Sequence, residues 1–371
     1  MRTFPFIFLW PLLLVGFAQE PSDALKRAGE NRPQIEKALA DVPAAQKAGL
    51  EFLVRHMPER DLKTLSAAYL LDNVAYAAKA RAAVPWGKDL PDELYFNDVL
   101  PYASINERRD NWRKDFYQRF LPLVKDAKTP GEAAQILNRD MWKIVNVKYH
   151  ARKRPKPDQS PYESMEATYA SCTGLSVLLI DACRSVCVPA RFVGTPAWSN
   201  KRGNHSWVEV WNGEQWSFTG ACEYNKGGLN RGWFAGDASR AQRDEPMHAI
   251  YASSWKPADR SFPLIWNLKI DYVAGVNVTD RYARPDDQRA RTFIQVFDGE
   301  QRVSRYVRVL HGDKQIARGM TRGEKHDSND MLTLQLEPGK DYTLEITQPD
   351  KTTRKKTFTP AKKDEEIRIQ L

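Results

Sequence analysis

Cysteine is scarce in this chain, with four in 371 residues. That excludes a small scaffold stapled by disulfides. Cys183 and Cys187 share one apolar stretch and no second ligand pair follows them, so a structural zinc site is not expected either. Long hydrophobic runs are nearly missing. The one at residues 4–17 is broken by Pro5 and Pro11 and falls short of the roughly 20 residues a bilayer span needs. A strong excess of one charge is missing too: 56 Lys+Arg face 47 Asp+Glu, a net +9 that points only weakly to an acidic partner. No internal repeat and no Asp-x-Asp-x-Asp-Gly calcium loop occurs. What is present, 42% apolar and 28% charged residues, is the composition of a soluble globular protein and excludes a disordered, collagen-like or polytopic membrane chain. At roughly 100–200 residues per domain the length suggests two or three domains.

The N-terminus reads as a secretory leader. Arg2 precedes the apolar run, and Gly16-Phe17-Ala18 offers small residues for cleavage after residue 18. The expected mature protein is secreted or periplasmic and has no integral membrane segment.

Residues 19–125 read as a helical region, with apolar residues at helical spacing such as Leu62, Leu65 and Tyr69. Residues 86–102 read as an ordered connection, 105–124 as a second helical stretch, and 130–147 as a third, capped by Thr129. Residues 150–163 are a Pro-broken polar loop. Around it, residues 139–159 hold seven Lys/Arg against two Asp/Glu. This reads as a solvated loop or as a contact for an acidic polymer; no nucleic-acid motif accompanies it. Residues 172–186 are apolar all round and predict a buried helix. Strands are expected at 189–194, 206–211 and 215–219, the last two closed into a hairpin by Asn212-Gly213. Residues 285–371 carry short alternating runs separated by Gly, Pro and Asp, the pattern of a small β-sandwich. A core over residues 126–284 lies between.

The chemistry centres on Cys172, which opens the buried helix. A cysteine there feels the positive end of the helix macrodipole, which favours the nucleophilic thiolate. His205 begins the strand His-Ser-Trp-Val-Glu-Val-Trp. With Asn212-Gly213 as the turn, Trp211 faces Glu214 and His205 faces Gly220.

Three segments together resemble the transglutaminase-like superfamily: Ser171-Cys172-Thr173-Gly174, Val188-Pro189-Ala190-Arg191-Phe192-Val193, and Asn204-His205-Ser206-Trp207-Val208-Glu209-Val210 followed by Gln215-Trp216. The resemblance covers residues 160–235. It implies an α+β fold, a papain-like core with a Cys-His-Asp triad, in which Cys172 is the nucleophile and His205 the base. The family's Asp aligns with Gly220, a departure that resembles an exported bacterial branch where a carboxylate follows later. Glu223, past a glycine and an alanine, has the reach to serve; a Cys-His dyad is the alternative. The implied reaction is acyl transfer on amides: a peptidase or amidase, or a cross-linking transglutaminase, acting on a protein or peptide substrate such as a cell-wall peptide. A noncatalytic protein- or glycan-binding protein on the same core is the other function class. No cofactor or metal is implied, nucleic acid is not an expected partner, and the oligomeric state stays open. Arg191 is expected in a structural ion pair, and Trp207, Trp211 and Trp216 in the core. Among the remaining cysteines, one disulfide joining Cys222 to Cys183 or Cys187 is geometrically favoured over one within the helix. The C-terminal domain loosely resembles Ig-like or carboxypeptidase-regulatory-like accessory domains.

Overall fold

Helix formers at 3.6-residue spacing build the N-terminal third. The computed structural model describes residues 21–284 and 290–371; the leader expected over residues 1–18 lies outside them. Helix α1 (Ala67–Ala83) starts where the Ser66 hydroxyl accepts from the Tyr69 amide. The second expected helical stretch is helical only from α2 (Arg113–Phe120) onward. Upstream, the Glu107 carboxylate accepts from the amides of Ser104 and Ile105, at 2.6 and 2.8 Å, and these bonds hold the chain in a non-helical path. Helix α3 (Pro130–Val145) carries the expected Thr129 cap, with the hydroxyl 3.2 Å from the Glu132 amide. The expected loop at 150–163 ends in a short helix α4 (Pro161–Ala167), nucleated by a capping box between Ser160 and Glu163.

Helix α5 (Cys172–Ser185) is buried from Thr173 to its end. Two short parallel strands, β1 (Lys148–Tyr149) and β2 (Tyr169–Ala170), lead into it. It packs on a six-stranded sheet of order β5-β4-β3-β6-β8-β7. The strands are β3 (Ala190–Thr195), β4 (His205–Trp211), β5 (Trp216–Thr219), β6 (Tyr251–Ser254), β7 (Arg260–Ser261) and β8 (Ala274–Asn277). One apolar core runs from Ala24 through α5 and β3 to Val273, so the N-terminal helices are built onto this layer rather than beside it. Arg113 ties the two together. Buried, it donates to Asn73 and to the carbonyls of Val99, Leu100, Pro101 and Arg184.

The C-terminal region is two four-stranded sheets around a second core of Ile294, Val296, Val307, Leu344 and Ile369. In the first, β9 (Thr292–Asp298) pairs antiparallel with β10 (Gln301–Val303) and β13 (Leu332–Leu334), and parallel with β16 (Glu365–Gln370). The second has the order β12 (Lys314–Met320), β11 (Tyr306–His311), β14 (Tyr342–Thr347), β15 (Thr353–Phe358). The sandwich is joined to the core by charged groups: Arg291 pairs with Asp237 at 2.9 Å, Asp364 pairs with Arg240 at 3.1 Å, and the Arg202 guanidinium lies over the Phe293 ring. No helix among the described residues is long and apolar enough to cross a membrane.

Candidate active site

Helix α5 opens at Cys172 and strand β4 opens at His205, and the two openings meet. Behind them the Thr173 and Ser206 hydroxyls share a buried hydrogen bond of 3.3 Å. No side chain caps α5, since Ser171 makes no capping bond, so the first amides of the helix keep their donors uncommitted. Cys172 is partly accessible, whereas His205 is only 1% exposed. The imidazole is walled by aromatic rings, with Trp233 and Phe234 centred 4.7 and 4.9 Å away and Trp207 at 5.8 Å.

The group facing His205 is Asp327, which comes from the sandwich. Its Oδ2 lies 3.6 Å from His205 Nδ1, and both side chains are buried. Ligand atoms of Cys172, His205 and Asp327 all lie within 4.8 Å of one another. These contacts are longer than formed hydrogen bonds, as is common in a catalytic site without substrate. A thiolate, an imidazole and a carboxylate so placed can also hold a cation, and they are the residues that would do so.

Burial works against a charged imidazole, but Asp327 and the Cys172 thiol outweigh it and hold the His205 proton well above the ordinary histidine range. Burial likewise opposes the charge on Asp327; the facing imidazole and the Asn329 amide, 2.9 Å from Oδ1, keep its carboxyl below the usual range. The pair is thus held as ions of opposite sign.

The loop that carries Asp327 runs over residues 321–331, between β12 and β13, and is rigidly seated. The buried Arg302 guanidinium donates to five of its carbonyls: Gly323, His326, Asp327, Ser328 and Asp330, at 2.8–3.1 Å. From the core side, the Asn204 carbonyl next to His205 accepts from Asn329, and the Tyr149 hydroxyl accepts from the Ser328 amide.

Glu223, expected as the partner of His205, occupies a different place. Its Oε1 accepts from Trp233 Nε1 at 2.9 Å, and its Oε2 is buried with no hydrogen-bond partner. The carboxylate does fold back into the space left by the missing side chain of Gly220: a Cβ there would sit 2.0 Å from Oε2. Asn138 fixes this path by donating to the Gly220 carbonyl and accepting from the Cys222 amide. Burial pushes the Glu223 carboxyl up to about 7, against the pull of His205.

The hairpin register also differs from the expected one. Trp211 pairs with Trp216, two residues beyond Glu214, and the turn centres on Gly213-Glu214. The Asn212 side chain accepts from the amides of Glu214 and Gln215, and its own amide donates to the Gln215 carbonyl. These bonds keep Asn212 in the ladder and leave Gly213, at φ +115°, as the first turn residue. Strand β5 ends at Thr219, so His205 pairs with Thr195 on the other side and not with Gly220.

Arg191 forms the expected ion pair, with Glu209 at 2.5 Å, and stacks over Trp216. Glu209 also accepts from Tyr282, which in turn accepts from the buried Trp207. All four cysteines are free thiols, so the favoured disulfide is absent: Cys183 and Cys187 are sealed in the main core. Burial pushes Cys187 and Cys222 up to about 12, leaving them poor nucleophiles.

Sequence reasoning missed Asp327 because it lies more than a hundred residues beyond His205, in the domain taken as an accessory. One signal was there to find: His326-Asp327-Ser328-Asn329-Asp330 sits in a long polar loop of a sandwich whose other connections are short.

A cleft of about 1450 Å³ opens on Cys172, His205 and Asp327 and is lined by both the core and the sandwich. A second cavity of about 280 Å³ also reaches Cys172, beside Ile265 and Trp266.

No curated protein matches the chain. Among solved structures it is similar to a candidate cysteine protease from Cytophaga hutchinsonii, at 17% identity and a TM-score of 0.26, over 45% of this chain and 52% of that one. The chain thus spans about half the length of that protein. The model of the transglutaminase-like superfamily matches residues 120–221, the segment that holds both Cys172 and His205. Residues 120–221 are therefore similar to the core of the transglutaminase-like superfamily, and within them Cys172 and His205 stand at the openings of α5 and β4.

Proposed function

We propose that this protein is a cysteine-dependent acyl-transfer enzyme acting on amide bonds, with Cys172 as nucleophile, His205 as general base and acid, and Asp327 as the group that orients the imidazole. The juxtaposition of these three side chains, all within 4.8 Å, carries the reading. In the reaction, Cys172 Sγ attacks the amide carbon while its proton resides on His205. The tetrahedral oxyanion is met by the uncommitted amides at the start of α5. His205 returns the proton to the leaving amine as the C–N bond breaks, leaving a thioester on Cys172. Attack by water, deprotonated by His205, then gives a carboxylic acid and free thiol; attack by an amine gives a new amide instead. Asp327 supports the imidazolium and selects the tautomer that points its free nitrogen at sulfur.

The leader-like residues 1–18 support an exported protein, and secreted material is expected to begin near Gln19. The test of the acyl-transfer reading is alkylation of the full chain by iodoacetamide at pH 6 with mass mapping. Selective modification of Cys172 supports the enzyme. Equal or absent modification of all four thiols overturns it and leaves the noncatalytic binding protein.

A further inference from the structure

The cleft above Cys172 is far more basic than the chain as a whole. Lys148, Lys153, Arg231, Arg305 and Lys325 line it, and none of the five makes an ion pair among the described residues. The acidic groups lining it are already engaged. Glu324 pairs with Arg152, Asp330 pairs with Arg322 at 3.0 Å, and Asp327 faces His205. Glu223 bonds Trp233 and is held toward its neutral form. The five cations come from three distant parts of the chain: the strand and loop around β1, the segment after β5, and the sandwich. Folding therefore gathers them. The basic stretch at residues 139–159 finds its place here, since Lys148 and Lys153 both lie in it. Like charges lining a concave surface raise the local concentration of anions, and a cleft focuses that field.

We propose that the cleft binds an acidic peptide, with carboxylate side chains flanking the amide presented to Cys172. This deepens the acyl-transfer reading and rests on it for the choice of polymer: a peptide carries both the carboxylates the lining would hold and the amide carbonyl the thiol would attack. Unpaired lysines and arginines on the rim select the segment and draw it in. The partly accessible thiol, beside the shielded His205 and Asp327, then meets the backbone between the held side chains.

The test is binding, which does not depend on turnover. Three fluorescein-labelled octapeptides of one frame, bearing four Glu, four Gln or four Lys, are titrated against the full-length Cys172→Ala protein by fluorescence anisotropy. The Glu peptide is expected to bind at least about 10-fold more tightly than the Gln peptide at low salt, and the gap should close as the salt is raised toward molar. Two charge-reversed pairs on exposed positions, Lys148→Glu/Lys153→Glu and Arg231→Glu/Lys325→Glu, should each weaken the Glu peptide about 10-fold and leave the Gln peptide within about 2-fold. Equal binding of the Glu and Gln peptides, no binding of any peptide, or a Glu preference that survives both reversed pairs would overturn the proposal. So would a heparin fragment that outcompetes the Glu peptide at equal charge, which would assign the cleft to an anionic glycan. Because thiol labelling of the wild-type chain is read separately, a nucleophilic Cys172 with no acidic preference sinks this proposal alone.

Discussion

Two carboxylates crowd the imidazole of His205, and they differ in environment. Asp327 is kept ionised by the charge it faces, while Glu223 is pushed by burial to about 7. Asp327→Asn is therefore expected to lower turnover by roughly 10²- to 10⁴-fold, the scale on which a triad orienter acts. It should also slow Cys172 alkylation at pH 6, because the imidazolium loses its counter-charge. Glu223→Gln should leave turnover within about 5-fold, and steady-state rates of the two variants side by side decide which carboxylate orients the ring. Glu223 should instead show in stability. Its folded pKa is raised above the unfolded value of about 4.5, so its contribution is present below that value and is lost as pH rises through about 7. Thermal melts should then show Glu223→Gln more stable than wild type by a few degrees at pH 8 and nearly equal to it at pH 4.

At the scale of elements, the candidate site depends on three openings held in register: the first turn of α5, the first residue of β4 and the loop before β13. The first two are bound by the Thr173–Ser206 hydrogen bond and by the main core. The third hangs on Arg302, whose guanidinium replaces secondary structure as the organiser of residues 323–330. A lysine keeps the charge but not the planar fork of donors. Arg302→Lys is thus expected to reduce kcat by about 10-fold or more, since the loop it gathers carries Asp327. Combined with Asp327→Asn it should cost little further, because both act through the same group. Additive losses in that double mutant would show that Arg302 serves the fold generally.

For the whole molecule, the sandwich is part of the candidate site. It contributes Asp327 and lines the cleft with Arg302, Arg305, Arg322 and Lys325. Its seating on the core rests on charged contacts, with Arg291 on Asp237 and Arg240 on Asp364. Burial opposes the charge of Asp364, yet the bonds from Arg291 hold its carboxyl below the usual range. A depressed carboxylate stabilises the fold above its unfolded pKa, and that stability is lost as pH falls through the folded one. Asp364→Asn should therefore lower the melting temperature at pH 7, and the difference should shrink as the pH falls below about 4. It should also weaken Cys172 alkylation at pH 6, since loosening the domain withdraws Asp327. An unchanged alkylation rate would mean that the two functions of the interface are separate.

Local chemistry in the sequence was enough to reveal the Cys172 helix, the strand opening at His205, an ion pair at Arg191, the sandwich and the resemblance of the core. Each rests on residues close together or on a periodicity that burial imposes, and such patterns survive in one dimension. The turn at Gly213-Glu214 was misplaced by one residue because the side-chain bonds of Asn212 outweigh the usual preference for Asn-Gly at the turn centre. Glu223 was expected to reach into the space over Gly220 and does so, but the bond that Trp233 donates to its carboxylate escaped notice, since nothing local in the sequence pairs the two. Asp327 was decided by tertiary structure alone. A carboxylate acquires meaning from the group it faces, and here that group belongs to another domain, brought within 3.6 Å only when the sandwich docks and Arg302 gathers the loop.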